Sequence, residues 1–209
     1  MIKLNQFGVI PIDYKTLVTS LGKYKSPKDK VARMENDGEI IRLKKGLFVV
    51  TQKVHQQTLS RELIANHLCG PSYVSCETAL SFYGLIPERV YLTKSMTTKR
   101  SKNYSTLLGN FEYISVNQDY FAIGIRQEIV ENKFAFMIAT PEKALCDLII
   151  STKGLKIQSM KSMQIYLEED LRMDISAVQN FNKEIIGQCN SKSNKKKTEL
   201  TQLLKVIEL

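Results

Sequence analysis

Six cations in the first quarter of the chain, Lys28, Lys30, Arg33, Arg42, Lys44 and Lys45, stand at spacings that suit contact with a phosphate backbone. Three belong to a segment with strong helix-start signals: Ser26 at the N-cap, Pro27 at the first helical position and Asp29 in the first turn. Val31, Ala32 and Met34 should face inward, leaving Lys28, Lys30 and Arg33 on the polar side, and Asn36-Asp37-Gly38 should stop the helix. The other three tip a hairpin. Glu39–Leu43 and Leu47–Val50 are β-prone, and Lys44-Lys45-Gly46 joins them, with Gly46 able to take the positive φ of a three-residue connection. A helix followed by a cation-tipped hairpin is the helix-plus-wing half of a winged-helix DNA-binding domain. The same layout also describes a plain helix–hairpin unit whose lysines are solvated.

Charge placement bears on that choice. Lys and Arg outnumber Asp and Glu by 10 to 5 over residues 1–52, by 10 to 9 over 53–152 and by 10 to 7 over 153–209. More than half of the net charge of +9 therefore sits in the first quarter, the footprint of a phosphate-binding module.

A second cluster is Thr97-Thr98-Lys99-Arg100. Two hydroxyls beside two cations after a strand can hold a phosphate of RNA, DNA or a nucleotide; alternatively this is a capped loop whose cations pair with Glu88 or Glu112. Signals for catalysis are weak. Ser75 and Ser81 have no histidine near them in sequence, and neither a Gly-x-x-x-x-Gly-Lys loop nor a Gly-x-Gly-x-x-Gly turn occurs. Glu77, Glu112 and Lys99 can be mustered into a nuclease-like set, but no spacing fixes them. His67, Cys69 and Cys76 fit no standard zinc pattern. No catalytic residue, metal site or cofactor is assigned, and the four cysteines read as small buried hydrophobes of a reducing compartment.

The elements that must position these clusters follow from periodicity. Asp13 caps a helix carrying Tyr14, Leu17, Val18 and Leu21 on one face and closed by Gly22. A full helix-turn-helix has three helices before its wing, and only two are evident here, Pro11 being awkward for one over residues 1–11. Thr51–Gln57 reads as a linker. A helix from Thr58 ends at Gly70-Pro71, Ser72–Val74 is extended, and Ser75 caps a helix from Cys76 to Tyr83 stopped by Gly84. Strands are expected at Arg89–Thr93, Phe111–Val116, Ala122–Ile125 and Phe134–Ile138. Thr140-Pro141-Glu142 opens a helix that is apolar on most sides, with Lys143 and Asp147 able to pair at i,i+4 on its polar strip. Helices are expected over Ser159–Glu169, from Asp174 with Ile175, Val178, Phe181 and Ile185 on one face, and from Thr198. A flexible basic break at Asn190–Lys197 should precede the last.

Several of these segments bear a family likeness. Gly70–Glu88 (GPSYVSCETALSFYGLIPE), the hairpin Arg42–Val49, Thr97–Arg100 and Ala139–Asp147 (ATPEKALCD) resemble, in order and spacing, the AbiEi antitoxin family over residues 10–150. The resemblance implies an α+β protein with an N-terminal winged-helix domain over residues 1–52 and a larger α/β domain with mixed strands over 53–152; the helical C-terminal extension over 153–209 is read from periodicity, and the family's roles do not carry over to it. It implies a cytoplasmic, non-enzymatic antitoxin of a type IV (abortive-infection) system with two jobs. The winged helix would bind inverted repeats in the operator DNA upstream of its operon and repress it. The larger domain would neutralise a nucleotidyltransferase-like toxin without a stable complex. Other readings are a winged helix that meets protein instead of DNA, and a small nuclease or transferase. No run reaches the roughly 18 apolar residues that a membrane span needs, and the N-terminus lacks a signal-peptide pattern, so no membrane partner is expected.

Overall fold

A computed structural model describes residues 4–22 and 24–208, and over them the fold is α+β. Part of the segment 1–11, and Lys23 among the N-terminal cations, lie outside the described residues.

A 3-10 turn, Leu4–Phe7, leads into β1 (Ile12–Asp13) and α1 (Tyr14–Ser20), capped by the Asp13 carboxylate on Thr16 N at 2.9 Å. Next come α2 (Pro27–Asn36), β2 (Ile40–Lys44) and β3 (Leu47–Val50), which form with β1 a three-stranded antiparallel sheet of order β1-β3-β2. Gly46 has the positive φ, 80°, that the hairpin connection demands. No α-helix occupies residues 4–11, where a 3-10 turn at Leu4–Phe7 stands instead and leads to β1. The segment expected to be a linker holds a short helix, α3 (Gln52–His55).

The larger part starts at α4 (Arg61–Leu68), capped by Ser60, and continues through β4 (Ser72–Val74), α5 (Cys76–Phe82), β5 (Leu92–Thr97), β6 (Lys102–Thr106) and β7 (Gly109–Ser115). Then follow α6 (Gln118–Phe121), β8 (Ile125–Val130), β9 (Phe134–Ala139) and α7 (Pro141–Ser151). Six strands form one mixed sheet, ordered β6-β7-β5-β4-β9-β8, with β5–β7 and β4–β9 parallel. Strand alternation assigns its two faces. Tyr113 of β7 donates to the Ala65 carbonyl of α4, while its neighbour Glu112 lies level with Lys94, which bonds Glu77 of α5. Helix α4 therefore covers one face and α5 the other.

The C-terminal residues form α8 (Met160–Ile165), extended by a π-turn over Tyr166–Asp170, then α9 (Ile175–Gln179), α10 (Lys183–Lys192) and α11 (Lys197–Ile207). Met163, Leu167, Val178, Ile186, Leu200 and Leu203 join the same core as the six-stranded sheet. Among the described residues, no helix is long and apolar enough to cross a membrane.

Several elements depart from the sequence expectation, each for a local reason. The strand sought at Ala122–Ile125 begins only at Ile125, because Asn117 caps α6 through Tyr120 N and Gly124 turns the chain at φ 57°. The strand sought at Arg89–Thr93 starts at Leu92 and runs to Thr97, where Ser72–Val74 pairs with its second half. β6 is polar and bonded on one side only, so it carries no apolar signature. The helix expected from Asp174 through Ile185 breaks at Asn180–Asn182, where the Asn182 side chain accepts Glu184 N and caps α10 instead. The basic break shrinks to residues 193–196, fastened by Ser193 Oγ on the Lys195 carbonyl at 2.6 Å.

Candidate functional site

The six N-terminal cations divide into two groups. Lys28, Arg33 and Lys45 are exposed and Lys30 half-buried, and none lies within ion-pair distance of a carboxylate among the described residues. Helix α2 supplies Lys28, Lys30 and Arg33 because Val31 and Met34, 2% and 0% exposed, take its inner face. Arg42 and Lys44 are engaged internally. Arg42 makes a forked pair with Glu35 of α2, at 2.7 Å from Nη2, and lies 5.2 Å from the Phe48 ring centroid. Lys44 donates to the Leu68 carbonyl at 2.6 Å, meeting the C-terminal end of α4, where a helix dipole favours a cation.

The hairpin that carries them is a shared wall. Ile40, Phe48 and Val50 pack into a small core with Ile12, Leu17, Leu21, Val31 and Met34. Leu43, Leu47 and Val49 point the other way, into the core of the six-stranded sheet. All four residues of β3 are consequently buried, and the exposed residues of the hairpin are Arg42 and Lys45. Four consecutive apolar residues, Leu47-Phe48-Val49-Val50, are the sequence sign of a strand covered on both faces, and were the available clue.

The Thr97–Arg100 cluster is half cap and half open surface. Thr97 is buried; its hydroxyl donates to the Pro71 carbonyl at 2.7 Å and accepts Lys99 N at 3.2 Å. Thr98, Lys99 and Arg100 are exposed between β5 and β6. Their expected partners lie elsewhere: Glu88 pairs with Arg172 at 3.6 Å, and Glu112 stands in register with Lys94.

The acid–lysine set that the fold does assemble is Glu77, Lys94 and Glu112, with Lys94 in the place sequence reasoning gave to Lys99. Lys94 Nζ bonds Glu77 at 2.7 Å. Burial opposes the Lys94 charge, but the Glu77 bond and the nearby Glu112 more than offset it and leave the ammonium pKa above its ordinary value.

A buried polar cluster, which sequence reasoning placed on a helix's remaining polar strip, lies between α7 and the sheet. Lys143 and Asp147 pair at 3.2 Å, and both are 0% exposed. Lys143 Nζ also donates to the Tyr120 carbonyl at 2.9 Å and lies 3.1 Å from the Tyr120 ring centroid. Ser75, expected to cap α5, instead donates its hydroxyl to Asp147 at 2.6 Å. Gly124 closes the cluster: a Cβ there would stand 2.9 Å from Lys143 Cβ and 3.0 Å from Ile185 Cγ2. Burial, with the Asp147 carboxylate close by, pushes the Tyr73 and Tyr120 phenols well above their ordinary pKa, so both stay neutral. Ser75 has a carboxylate and a lysine near it, but no opening through which a substrate could reach it. Ser81 only touches the Glu88 carbonyl, at 3.5 Å.

Cys76, Cys146 and Cys189 are buried and Cys69 partly so, all as free thiols. No cluster of three or more His, Cys, Asp or Glu residues suited to a metal ion occurs among the described residues. No protein-family model matches the sequence, and a search of curated proteins finds no match.

Proposed function

We propose that this chain is an AbiEi-type antitoxin whose N-terminal part, residues 1–52, is a winged-helix DNA-binding domain that represses its own operon. The observation that carries the DNA half is that Lys28, Lys30 and Arg33 of α2 and Lys45 of the β2–β3 connection have no acidic partner among the described residues. The order α1–α2–β2–β3, with β1 added to the hairpin, supports the winged-helix reading. In this reading α2 approaches the phosphates and Lys45 extends the contact as the wing tip, with Arg42 beside it. Lys44, tied to Leu68, sets the wing's angle. The second half of the reading, neutralisation of a nucleotidyltransferase-like toxin by the larger part in the cytoplasm without a stable complex, rests on the Gly70–Glu88 and Ala139–Asp147 segments.

Titration of the DNA upstream of the gene, followed by fluorescence anisotropy over a salt series, tests the first half. Binding should weaken steeply with salt, and Lys28→Glu with Lys45→Glu should lower affinity at least about tenfold and flatten the slope of log K against log salt by about two. Wild-type protein without salt-dependent binding to that DNA ends the repressor reading. Co-expression with the neighbouring gene tests the second: the full chain should restore growth, and Lys28→Glu with Lys45→Glu, which leaves the larger part intact, should restore it equally.

A further inference from the structure

The two outer strands of the six-stranded sheet are treated differently. β6 lies beside the N-terminal hairpin, with Lys44 standing 5.9 Å from the Tyr104 ring centroid. β8, at the other end, pairs with β9 alone among the described residues. One bond fixes the direction of its backbone groups. Thr140 N donates to the Gly124 carbonyl at 2.8 Å, one step before the β8–β9 register begins with Ile125 opposite Ala139. Bonded and non-bonded pairs alternate along an antiparallel ladder. Arg126, Glu128 and Val130 therefore direct their N–H and C=O groups at β9, while Ile125, Gln127 and Ile129 direct theirs away from the sheet. No backbone bond outside the ladder reaches these outward groups among the described residues.

An unpaired edge of regular backbone is a template for another strand, which proteins block with prolines, bulges or repelling charges. β8 has no proline and no shift in its register with β9, and its Ile129 is 59% exposed. Its side chains select the strand that fits. Turned round upon itself about Gln127, the sequence Ile-Arg-Gln-Glu-Ile is its own complement. Ile125 then faces Ile129 of the partner subunit, Arg126 faces Glu128 of the partner subunit, and Gln127 faces its own counterpart. Backbone parity agrees with this register. The glutamine and isoleucine pairs are those with outward N–H and C=O groups, so each exchanges both of its backbone bonds. Arg126 and Glu128 fall at the non-hydrogen-bonded positions, where opposed side chains stand closest. Arg126 already pairs with Glu128 of its own chain, so the second copy closes a ring of alternating charges. A register with Arg126 or Glu128 on the axis would instead set like charges opposite each other.

We propose that β8 pairs with β8 of a second copy of this chain, antiparallel about a two-fold axis at Gln127, joining two six-stranded sheets into one. The charged pairs set the register, the outward backbone groups supply the bonds, and Ile129 is covered on the opposite face. A contact of one strand per copy falls at the small end of protein interfaces, so the dimer should depend on concentration, with a Kd of about 1–100 µM. The pairing rests on β8 and stands whether or not the N-terminal part binds DNA.

Sedimentation equilibrium of the full chain over a concentration series tests this. The mass should rise from monomer to dimer and no further, because a two-fold contact uses up the edge of both copies. Arg126→Glu alone and Glu128→Arg alone should each raise Kd at least about tenfold, since each sets like charges opposite at both ends of the pairing. An equimolar mixture of the two variants should dimerise again, because a strand with two acids then faces a strand with two bases. Gln127→Pro removes an outward N–H and no bond to β9, so it should abolish the dimer and leave a folded monomer. Amide exchange read by NMR checks the parity. The Ile125, Gln127 and Ile129 amides should be protected in concentrated wild type and exchange fast in Arg126→Glu, while Arg126 and Glu128 amides of wild type stay protected at any concentration. A wild-type chain that stays monomeric at submillimolar concentration overturns the proposal, even if the edge accepts a strand of another protein. A dimer that neither single reversal weakens, or a mixture that stays monomeric, overturns it as well.

Discussion

Lys45 and Lys143 are the same side chain put to opposite uses. Lys45 stands at the exposed hairpin connection, solvated and without a carboxylate partner among the described residues. Lys143 is 0% exposed, held by Asp147, a backbone carbonyl and an aromatic ring. A buried ammonium is tolerated only when its lost hydration is replaced by such partners, whereas a solvated one needs none and stays available to an external anion. The difference separates the two parts of the chain. The N-terminal part keeps Lys28, Lys30, Arg33 and Lys45 outward over a small core, and the larger part draws Lys143 inward to join α7, α6 and the sheet. Lys44 lies between these extremes, in the N-terminal part but bonded to the end of α4.

The sharpest way to break the comparison is at Lys143. Lys143→Met strands the Asp147 carboxylate and should cost about 3–5 kcal/mol, measured by urea unfolding. Lys143→Met with Asp147→Leu should cost less than either single change, because two apolar groups replace a pair and no charge is left alone. If the double variant is as unstable as the sum of the singles, the partnership is not what holds the cluster.

A smaller effect is expected at the hairpin. Lys44→Met removes the bond to the Leu68 carbonyl and should cost about 1–2 kcal/mol, while Lys45→Met should fall within about 0.5 kcal/mol of wild type. Upstream-DNA affinity should reverse that order, with Lys45→Met weakening binding more. Equal stability losses at the two positions would remove the distinction between a cation that holds the wing and one that is free to touch a phosphate.

The smallest effect concerns the cap of α1. The Thr16 backbone N–H, then the Thr16 hydroxyl, hold the Asp13 carboxyl below its ordinary pKa of 3.8. A depressed carboxyl contributes stability that is complete above the unfolded pKa and disappears as pH falls through the folded one. The difference in melting temperature between wild type and Asp13→Asn, which keeps an acceptor oxygen without titrating, should therefore shrink between about pH 5 and about pH 2. A difference that stays constant over that window would mean the Asp13 charge is not part of the cap.

How much of this was legible beforehand depended on the range of the interaction involved. Caps and stops act within a few residues, so the starts of α1, α2 and α7, the positive-φ Gly22, Gly46 and Gly84, and the β2–β3 hairpin could be read locally. Asn117, which diverts Ala122–Ile125 from a strand, and Asn182, which divides a helix, are local signals too; apolar periodicity masked them. β6 was out of reach because an edge strand with polar residues on both faces shows no pattern until its neighbour β7 is in place.

The chain's own order of residues determined which cations belong together on α2, the i,i+4 spacing of Lys143 and Asp147, and the uneven spread of charge. Tertiary structure alone decided which of those cations remain available. Arg42 is drawn to Glu35 and Lys44 to Leu68 because the hairpin is enclosed between two cores, and Lys143 is buried because α5, α10 and α11 close over α7. Tertiary structure also set β8 at the end of the sheet, with one edge unpaired among the described residues. The reason is one of range: side-chain identity and spacing are properties of the chain, but access to water depends on whatever else packs against a residue. Whether a cation meets a carbonyl, a carboxylate or solvent is therefore known only once distant segments are in place.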